Sequence, residues 1–132
     1  MRQETDTMKD YKKYYIIPAT PEEVYNALTN PLAIRLWTGE PAEMKEEPGS
    51  EFSLWDGSIT GRNISFIPGK KIEQQWYFGE QEVPSIVTII LHSHTQGTSV
   101  ELRHTNIPDS EYDDITAGWG ESYFMALEEF FS

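Results

Sequence analysis

The spacing of apolar residues predicts two short helices near the start of the chain. Thr20, Pro21 and Glu23 form a capping box with proline at the first helical position. The Asn30-Pro31 pair repeats the cap-and-proline signal, and Gly39 ends the second helix. The residues expected on the buried faces are Val24, Ala27 and Leu28 in the first helix, and Leu32, Leu36 and Trp37 in the second.

Around these helices the period of the pattern changes to two, which indicates β-strands. A short strand is predicted over residues 14–17, before the helices, and further strands follow from residue 42 onward. Asp56-Gly57 is typical of a two-residue hairpin turn, because both central positions of that turn need positive φ. Phe52 and Leu54 alternate with polar residues, and Ile64 and Phe66 mark the return strand. One face of each following strand is predicted to carry Ile72, Gln74, Trp76 and Phe78, and then Val87, Ile89 and Leu91.

A second hairpin is predicted at Gln96-Gly97. If these two residues form the loop, Leu91 lies opposite Leu102 and Ile89 lies opposite His104. His104 would then face inward with the apolar residues. The opposite face would carry His92 against Glu101 and His94 against Ser99, and we expect it to face solvent.

The end of the chain predicts a long amphipathic helix that lies across the sheet. Its apolar residues recur at helical spacing over about four turns, and they are Ile115, Trp119, Tyr123, Ala126, Leu127 and Phe130. Gly118 and Gly120 each cost about 1 kcal/mol in a helix relative to alanine. Two interpretations stay open for these glycines: close packing of the backbone against a strand, or room for a ligand.

Length and composition favour one domain. The chain has 132 residues, so we expect a single domain over residues 10–132 and a disordered tail over residues 1–9. The aromatic fraction of 13% is high, so large flat side chains must make up much of the core. There is no cysteine, which removes disulfides, thiolate catalysis and cysteine-ligated metals.

The net charge of −12 argues against nucleic acid and anionic membranes as partners. No run approaches the roughly 18 apolar residues of a membrane span, and a cytoplasmic protein is the simple expectation. The acids concentrate in two segments, where they serve solubility and helix capping or form an acidic docking surface. These acids are Glu40, Glu43, Glu46, Glu47 and Glu51, and then Asp109, Glu111, Asp113 and Asp114.

Few residues suggest catalysis or metal binding. His92 and His94 share one side of a strand but offer at most a weak metal site, so we expect no metal and no cofactor. No nucleophile elbow and no phosphate-binding glycine loop is present. The remaining candidate is a cavity between sheet and helix, whose aromatic residues otherwise simply form the core. The residues expected to line it are Phe52, Phe66, Trp76, Phe78, Leu102, His104, Trp119 and Tyr123.

The run from Phe52 to Phe131 resembles the activator of heat-shock protein 90 ATPase homologue family, within the START-like (SRPBCC) superfamily. The residues that carry the resemblance are Phe52, Asp56-Gly57, Ile59 and Gly61; Ile72 with Trp76; Thr98-x-Val100-x-Leu102; Gly118-Trp119; and Tyr123-Phe124. It implies an α+β helix-grip fold: a curved antiparallel sheet of about six to seven strands wrapped around a long C-terminal helix, with two short helices after the first strand.

The resemblance implies the fold, and three hypotheses for the function stay open. The leading hypothesis is a non-enzymatic domain that binds a small apolar or amphipathic ligand in the cavity. The alternative is an interaction module that docks on heat-shock protein 90 or another protein through its acidic surface. A third hypothesis, an enzyme of the polyketide-cyclase kind, would use His104 or Tyr123 as acid–base groups. We expect a monomer or a weak dimer.

Overall fold

The predicted α+β architecture is confirmed by a computed structural model, which describes residues 7–132. Six strands form one antiparallel sheet in the order β1-β6-β5-β4-β3-β2. The strands are β1 (Met8–Ile17), β2 (Glu51–Leu54), β3 (Ile59–Ile67), β4 (Lys71–Trp76), β5 (Ser85–His94) and β6 (Gly97–Pro108). The helices are α1 (Pro21–Thr29), α2 (Pro31–Thr38), α3 (Tyr112–Gly118) and α4 (Met125–Phe131), with a π-helical segment (Trp119–Phe124) between the last two.

The first strand is longer than the sequence pattern predicts. β1 begins at Met8 rather than at Tyr14, and it pairs with β6 from Met8–Pro108 to Ile17–Thr98. Met8 and Lys9, which were expected in a disordered tail, therefore belong to the sheet, whereas residues 1–6 of that tail lie outside the described residues. The sequence pattern did not predict this part because edge strands often carry exposed charged residues. In β1 these residues are Lys12 and Lys13.

The capping signals predict both short helices correctly. Thr20 Oγ1 accepts a hydrogen bond from the Glu23 N–H (3.2 Å), and Glu23 Oε1 accepts one from the Thr20 N–H (2.9 Å). The buried face of α2 differs from the prediction, since Leu32 and Leu36 are 65% and 72% exposed. Ile34 is buried in their place, and it shares the inner face with Trp37.

The β5–β6 hairpin turns one residue earlier than predicted. His94 pairs with Gly97, so the loop is residues 95–96, and Ile89 lies opposite Leu102 rather than His104. This shift moves each partner by two positions, so every side chain keeps its predicted face. Gly97 serves close packing: a Cβ there would lie 2.7 Å from the Ala19 backbone nitrogen.

The predicted C-terminal helix forms, but its buried face changes within it. Trp119 and Tyr123 are buried as expected. In the π segment the hydrogen bonds span one extra residue, which advances the helical phase by one position. Phe124, the last residue of the segment, is buried; beyond the segment Phe131 packs against the core and Phe130 is 41% exposed.

Candidate functional site

A groove of about 270 Å³ opens between the C-terminal helix, the β2–β3 loop and the end of β4. Aromatic and aliphatic side chains form most of its wall, and three polar side chains lie among them. The lining residues are Trp55, Ser58, Ile59, Trp76, Asp114, Ile115, Gly118, Trp119, Ser122 and Tyr123.

The β2–β3 loop brings Trp55 to the groove. Leu54 is the last residue of β2 to pair, with Ile59, so residues 55–58 form the loop. The turn predicted at Asp56-Gly57 is confirmed, because the Ser58 N–H donates across it to the Trp55 carbonyl oxygen (3.1 Å). Positive φ values extend over Trp55 (50°), Asp56 (53°) and Gly57 (93°). The left-handed conformation of a bulky residue is uncommon. Here the Trp55 ring packs against Trp37 and Tyr123, with centroid separations of 5.5 and 5.7 Å.

Gly118 leaves space on the helical side of the groove. Its backbone is helical (φ −61°), and a Cβ at this position would meet no atom within 4 Å. At Gly120 a Cβ would make an ordinary contact, 3.8 Å from the Tyr15 hydroxyl. Neither glycine is therefore required for close packing against a strand. The sequence left two interpretations open, and the empty space at Gly118 supports the second one, which is room beside the helix.

The tryptophans at the back of the groove are fixed by buried hydrogen bonds. Trp76 Nε1 donates to Gln74 Oε1 (3.1 Å), and Gln74 Nε2 donates to Asn63 Oδ1 (3.0 Å). Trp119 Nε1 donates to His104 Nδ1 (3.0 Å). The two indole rings stack at 4.6 Å between centroids. These bonds hold the rings in one orientation.

His104 supports this wall from within the core. Because Nδ1 accepts the Trp119 proton, Nε2 carries the imidazole proton and donates it to Ser85 Oγ, 2.8 Å away. Ser85 Oγ donates in turn to the Thr105 carbonyl oxygen (3.2 Å). Burial lowers the pKa of His104 to about 3, so the ring is neutral at physiological pH. Both ring nitrogens are engaged, and the side chain is fully buried.

The eight residues predicted to line a cavity separate into two groups. Trp76, Trp119 and Tyr123 lie together in the groove. The other five pack in or against the core behind it, and they are Phe52, Leu102 and His104, which are buried, and Phe66 and Phe78, which are half-buried.

Seven residues that line the groove were not predicted, although three of them follow a regular pattern in the sequence. Asp114, Gly118 and Ser122 recur every four residues, directly beside the apolar stripe of Ile115 and Trp119. A stripe of small and polar residues beside an aromatic stripe indicates a helix edge with nothing packed on it. The position of Trp55 depends on its own positive φ, for which the sequence gives no signal.

The histidines of the outer sheet face are engaged with their neighbours. His92 Nε2 lies 2.9 Å from Glu101 Oε1, and Arg103 Nε donates to Glu101 Oε2 (2.6 Å). Hydrogen bonding by His92, followed by Arg103, holds the pKa of Glu101 below its usual value despite burial. His94 Nδ1 accepts the Gln96 N–H. Within residues 7–132, no three His, Asp or Glu side chains converge as a metal site.

None of the helices between residues 7 and 132 combines the length and the apolar character needed to cross a membrane.

The comparisons with known proteins agree on one family. The family model for the activator of Hsp90 ATPase homolog 1-like protein matches residues 18–132. An activator of 90 kDa heat shock protein ATPase homolog from Dictyostelium discoideum is 31% identical over 129 residues, which are 96% of this chain and 34% of that protein. The activator homolog 2 from Mus musculus is 20% identical over 116 residues, 86% of this chain and 35% of the mouse protein. The chain thus spans about a third of the length of the curated relatives that it matches.

Solved structures confirm the helix-grip fold. An HSP90 activator from Plasmodium falciparum superposes with a TM-score of 0.82 at 27% identity, covering 94% of this chain and 96% of that one. The Aha1 dimer from Colwellia psychrerythraea superposes with a TM-score of 0.79 at 19% identity, covering 94% and 96%, and shows the fold alone. The sheet, the C-terminal helix and the family match together establish that this chain belongs to the family of activator of Hsp90 ATPase homolog 1-like proteins.

Proposed function

We propose that this chain binds a small apolar or amphipathic ligand, without chemical turnover, in the groove between the C-terminal helix and the β2–β3 loop. The observation that carries the proposal is the open space at Gly118, opposite a fixed aromatic wall. A helix without a ligand to accommodate would gain stability from alanine at this position. Rigid apolar walls with a few polar groups are typical of small-molecule sites.

The size and chemistry of the groove limit the size of the ligand and the kind of function. A volume of about 270 Å³ lies just below the range of roughly 300–1,000 Å³ that is common for ligand pockets, so the ligand is small. His104, the buried histidine, does not line the groove, and its ring nitrogens are engaged. Burial raises the pKa of the Tyr123 phenol above its usual value, so Tyr123 stays protonated at neutral pH. These features favour binding over acid–base catalysis.

The tryptophan indole N–H groups provide a direct assay. The chain has four tryptophans, and Trp55, Trp76 and Trp119 line the groove whereas Trp37 does not. We expect titration with 2-naphthol, a small neutral aromatic probe, to shift the indole ¹H–¹⁵N resonances of the three groove residues along one saturable curve. The Trp37 indole, which donates to the Ala27 carbonyl oxygen, is the internal control. Equal shifts of all four resonances, or none, would rule out binding at this groove.

Docking on heat-shock protein 90 is a second candidate function, and the names of the relatives favour it. The acidic surface of this chain offers the matching chemistry. Its loop glutamates are exposed, although Glu46 accepts a hydrogen bond from Tyr25 and Glu51 accepts one from Tyr77. The carboxylates that would meet a basic partner are therefore those of Glu40, Glu43 and Glu47.

A pull-down with purified heat-shock protein 90 tests this second candidate. We expect capture that weakens as salt rises from 50 to 500 mM, because exposed charges are screened. The triple variant E40Q/E43Q/E47Q should lose capture, whereas the control E121Q/E128Q/E129Q, which removes the same charge from the C-terminal helix, should keep it. Capture that is insensitive to both salt and the loop variant would contradict docking through this surface.

A further inference from the structure

We propose that the preferred ligand of the groove is a small organic cation, an ammonium group on an apolar body. This inference rests on the proposed function, because it names the ligand class for the same groove. Its basis is the combination of a continuous aromatic wall with one carboxylate at the edge of that wall.

The aromatic wall consists of four rings in a row, each in contact with the next. Trp76 stacks on Trp119 with 4.6 Å between centroids, and Trp119 lies 4.7 Å from Tyr123. Tyr123 lies 5.7 Å from Trp55 in turn. The faces of such rings carry partial negative charge, and tryptophan attracts cations most strongly. Trp76, Trp119 and Tyr123 are 3%, 2% and 5% exposed, so a cationic group in this groove would contact chiefly the half-buried ring of Trp55.

The carboxylate is that of Asp114, in the first turn of α3. Asp114 is the one charged residue that lines the groove in the described part of the chain, and no ion pair to it is seen there. The wall therefore provides a negative charge with no compensating lysine or arginine. An anionic ligand would be repelled at this edge, and a neutral ligand would gain no charge–charge attraction from it.

The charge of the whole protein acts in the same direction. With a net charge of −12, the surface potential raises the local concentration of small cations around the molecule. The groove selects among these cations by its apolar wall, since a hydrated metal ion gains nothing from burying aromatic surface. The ligand class that satisfies both features is an amphipathic amine.

A charge series on one apolar body tests this inference. The probes are 2-phenylethylammonium, 2-phenylethanol and phenylacetate, titrated at pH 7 and followed by the indole resonances of Trp55, Trp76 and Trp119. At about 4 Å one charge pair in water contributes roughly a five-fold change in affinity. We expect the ammonium probe to bind about five-fold more tightly than the alcohol, and phenylacetate to bind most weakly.

Two variants assign the preference to one carboxylate. Asp114→Asn should bring the affinities of the ammonium probe and the alcohol together. Asp113→Asn is the matched control: Asp113 also lies in the first turn of α3, but it does not line the groove, so the preference should persist. An ammonium probe that binds no better than the alcohol, or a preference that survives Asp114→Asn, would overturn the inference and leave groove binding intact. If none of the three probes shifts the groove resonances, the proposed function fails with it.

Discussion

Acidification should destabilise this protein through His104 well above the pH at which carboxylates titrate. The folded state holds the ring neutral, with a pKa of about 3 against an ordinary value of 6.5, and burial is the cause. The unfolded chain takes up a proton below pH 6.5 and the folded chain does not. The stability contributed by neutral His104 is therefore fully present above pH 6.5 and is lost as the pH falls from 6.5 toward 3.

The magnitude follows from the difference in proton binding. At pH 5 an unfolded histidine with its ordinary pKa of 6.5 is almost fully protonated. Between pH 7 and pH 5 the free energy of unfolding should therefore fall by about 2 kcal/mol. Because pH 5 lies well above the folded pKa, this figure depends on the ordinary pKa of histidine rather than on the depth of the shift. Carboxylates contribute little in this interval, since their ordinary pKa values lie near 4.

Urea unfolding at pH 7 and pH 5 measures this loss, and His104→Gln is the reference. The variant lacks the titrating ring of His104 and keeps the other two histidines, His92 and His94. We expect the variant to be less stable at pH 7, because Trp119 and Ser85 lose their partner. Its stability should nevertheless fall by about 2 kcal/mol less than that of the wild type between the two pH values. Equal losses in the two proteins would refute the assignment of His104 as a buried neutral residue.

Two further pairs of variants test the packing. Gly61→Ala should destabilise the protein by about 1–3 kcal/mol, because its Cβ would lie 2.7 Å from Phe52 Cζ, whereas Gly118→Ala should stabilise it by roughly 0.5–1 kcal/mol. Urea titrations that give both changes the same sign would contradict this. Phe124→Ala should cost about 3–5 kcal/mol and Phe130→Ala less than about 1 kcal/mol, since their side chains are 2% and 41% exposed. Similar melting temperatures for the two variants would contradict the phase change at the π segment.

The elements that local signals define were predictable from the sequence. The capping box at Thr20 and the alternation from Ile72 to Trp76 need only neighbouring residues, and both are confirmed. The start of β1 was not predictable, because its polar residues are held by pairing with β6, about 90–100 positions further along the chain. The inward position of Phe131 rather than Phe130 depends on the π segment, which packing in the folded protein determines.

The groove was predictable only in part, for a related reason. Aromatic residues at helical spacing identify Trp119 and Tyr123, but the same pattern describes a filled core. Whether space remains beside them depends on what packs opposite Gly118, and that is a property of the tertiary structure. Trp55 lies at the groove with a positive φ of its own, which the Asp56-Gly57 signal does not predict for the residue before the turn.

The affinity of 2-naphthol for Gly118→Leu tests the central claim most directly. The new side chain would project into the space beside the helix, and leucine favours helix over glycine, so the fold should be retained. Ala117→Leu is the matched control, since Ala117 is exposed and does not line the groove. If the groove is the ligand site, Gly118→Leu should weaken binding by roughly ten-fold or more, a loss of about 1.4 kcal/mol, and Ala117→Leu should leave it unchanged. Wild-type affinity in Gly118→Leu would show that the ligand binds elsewhere.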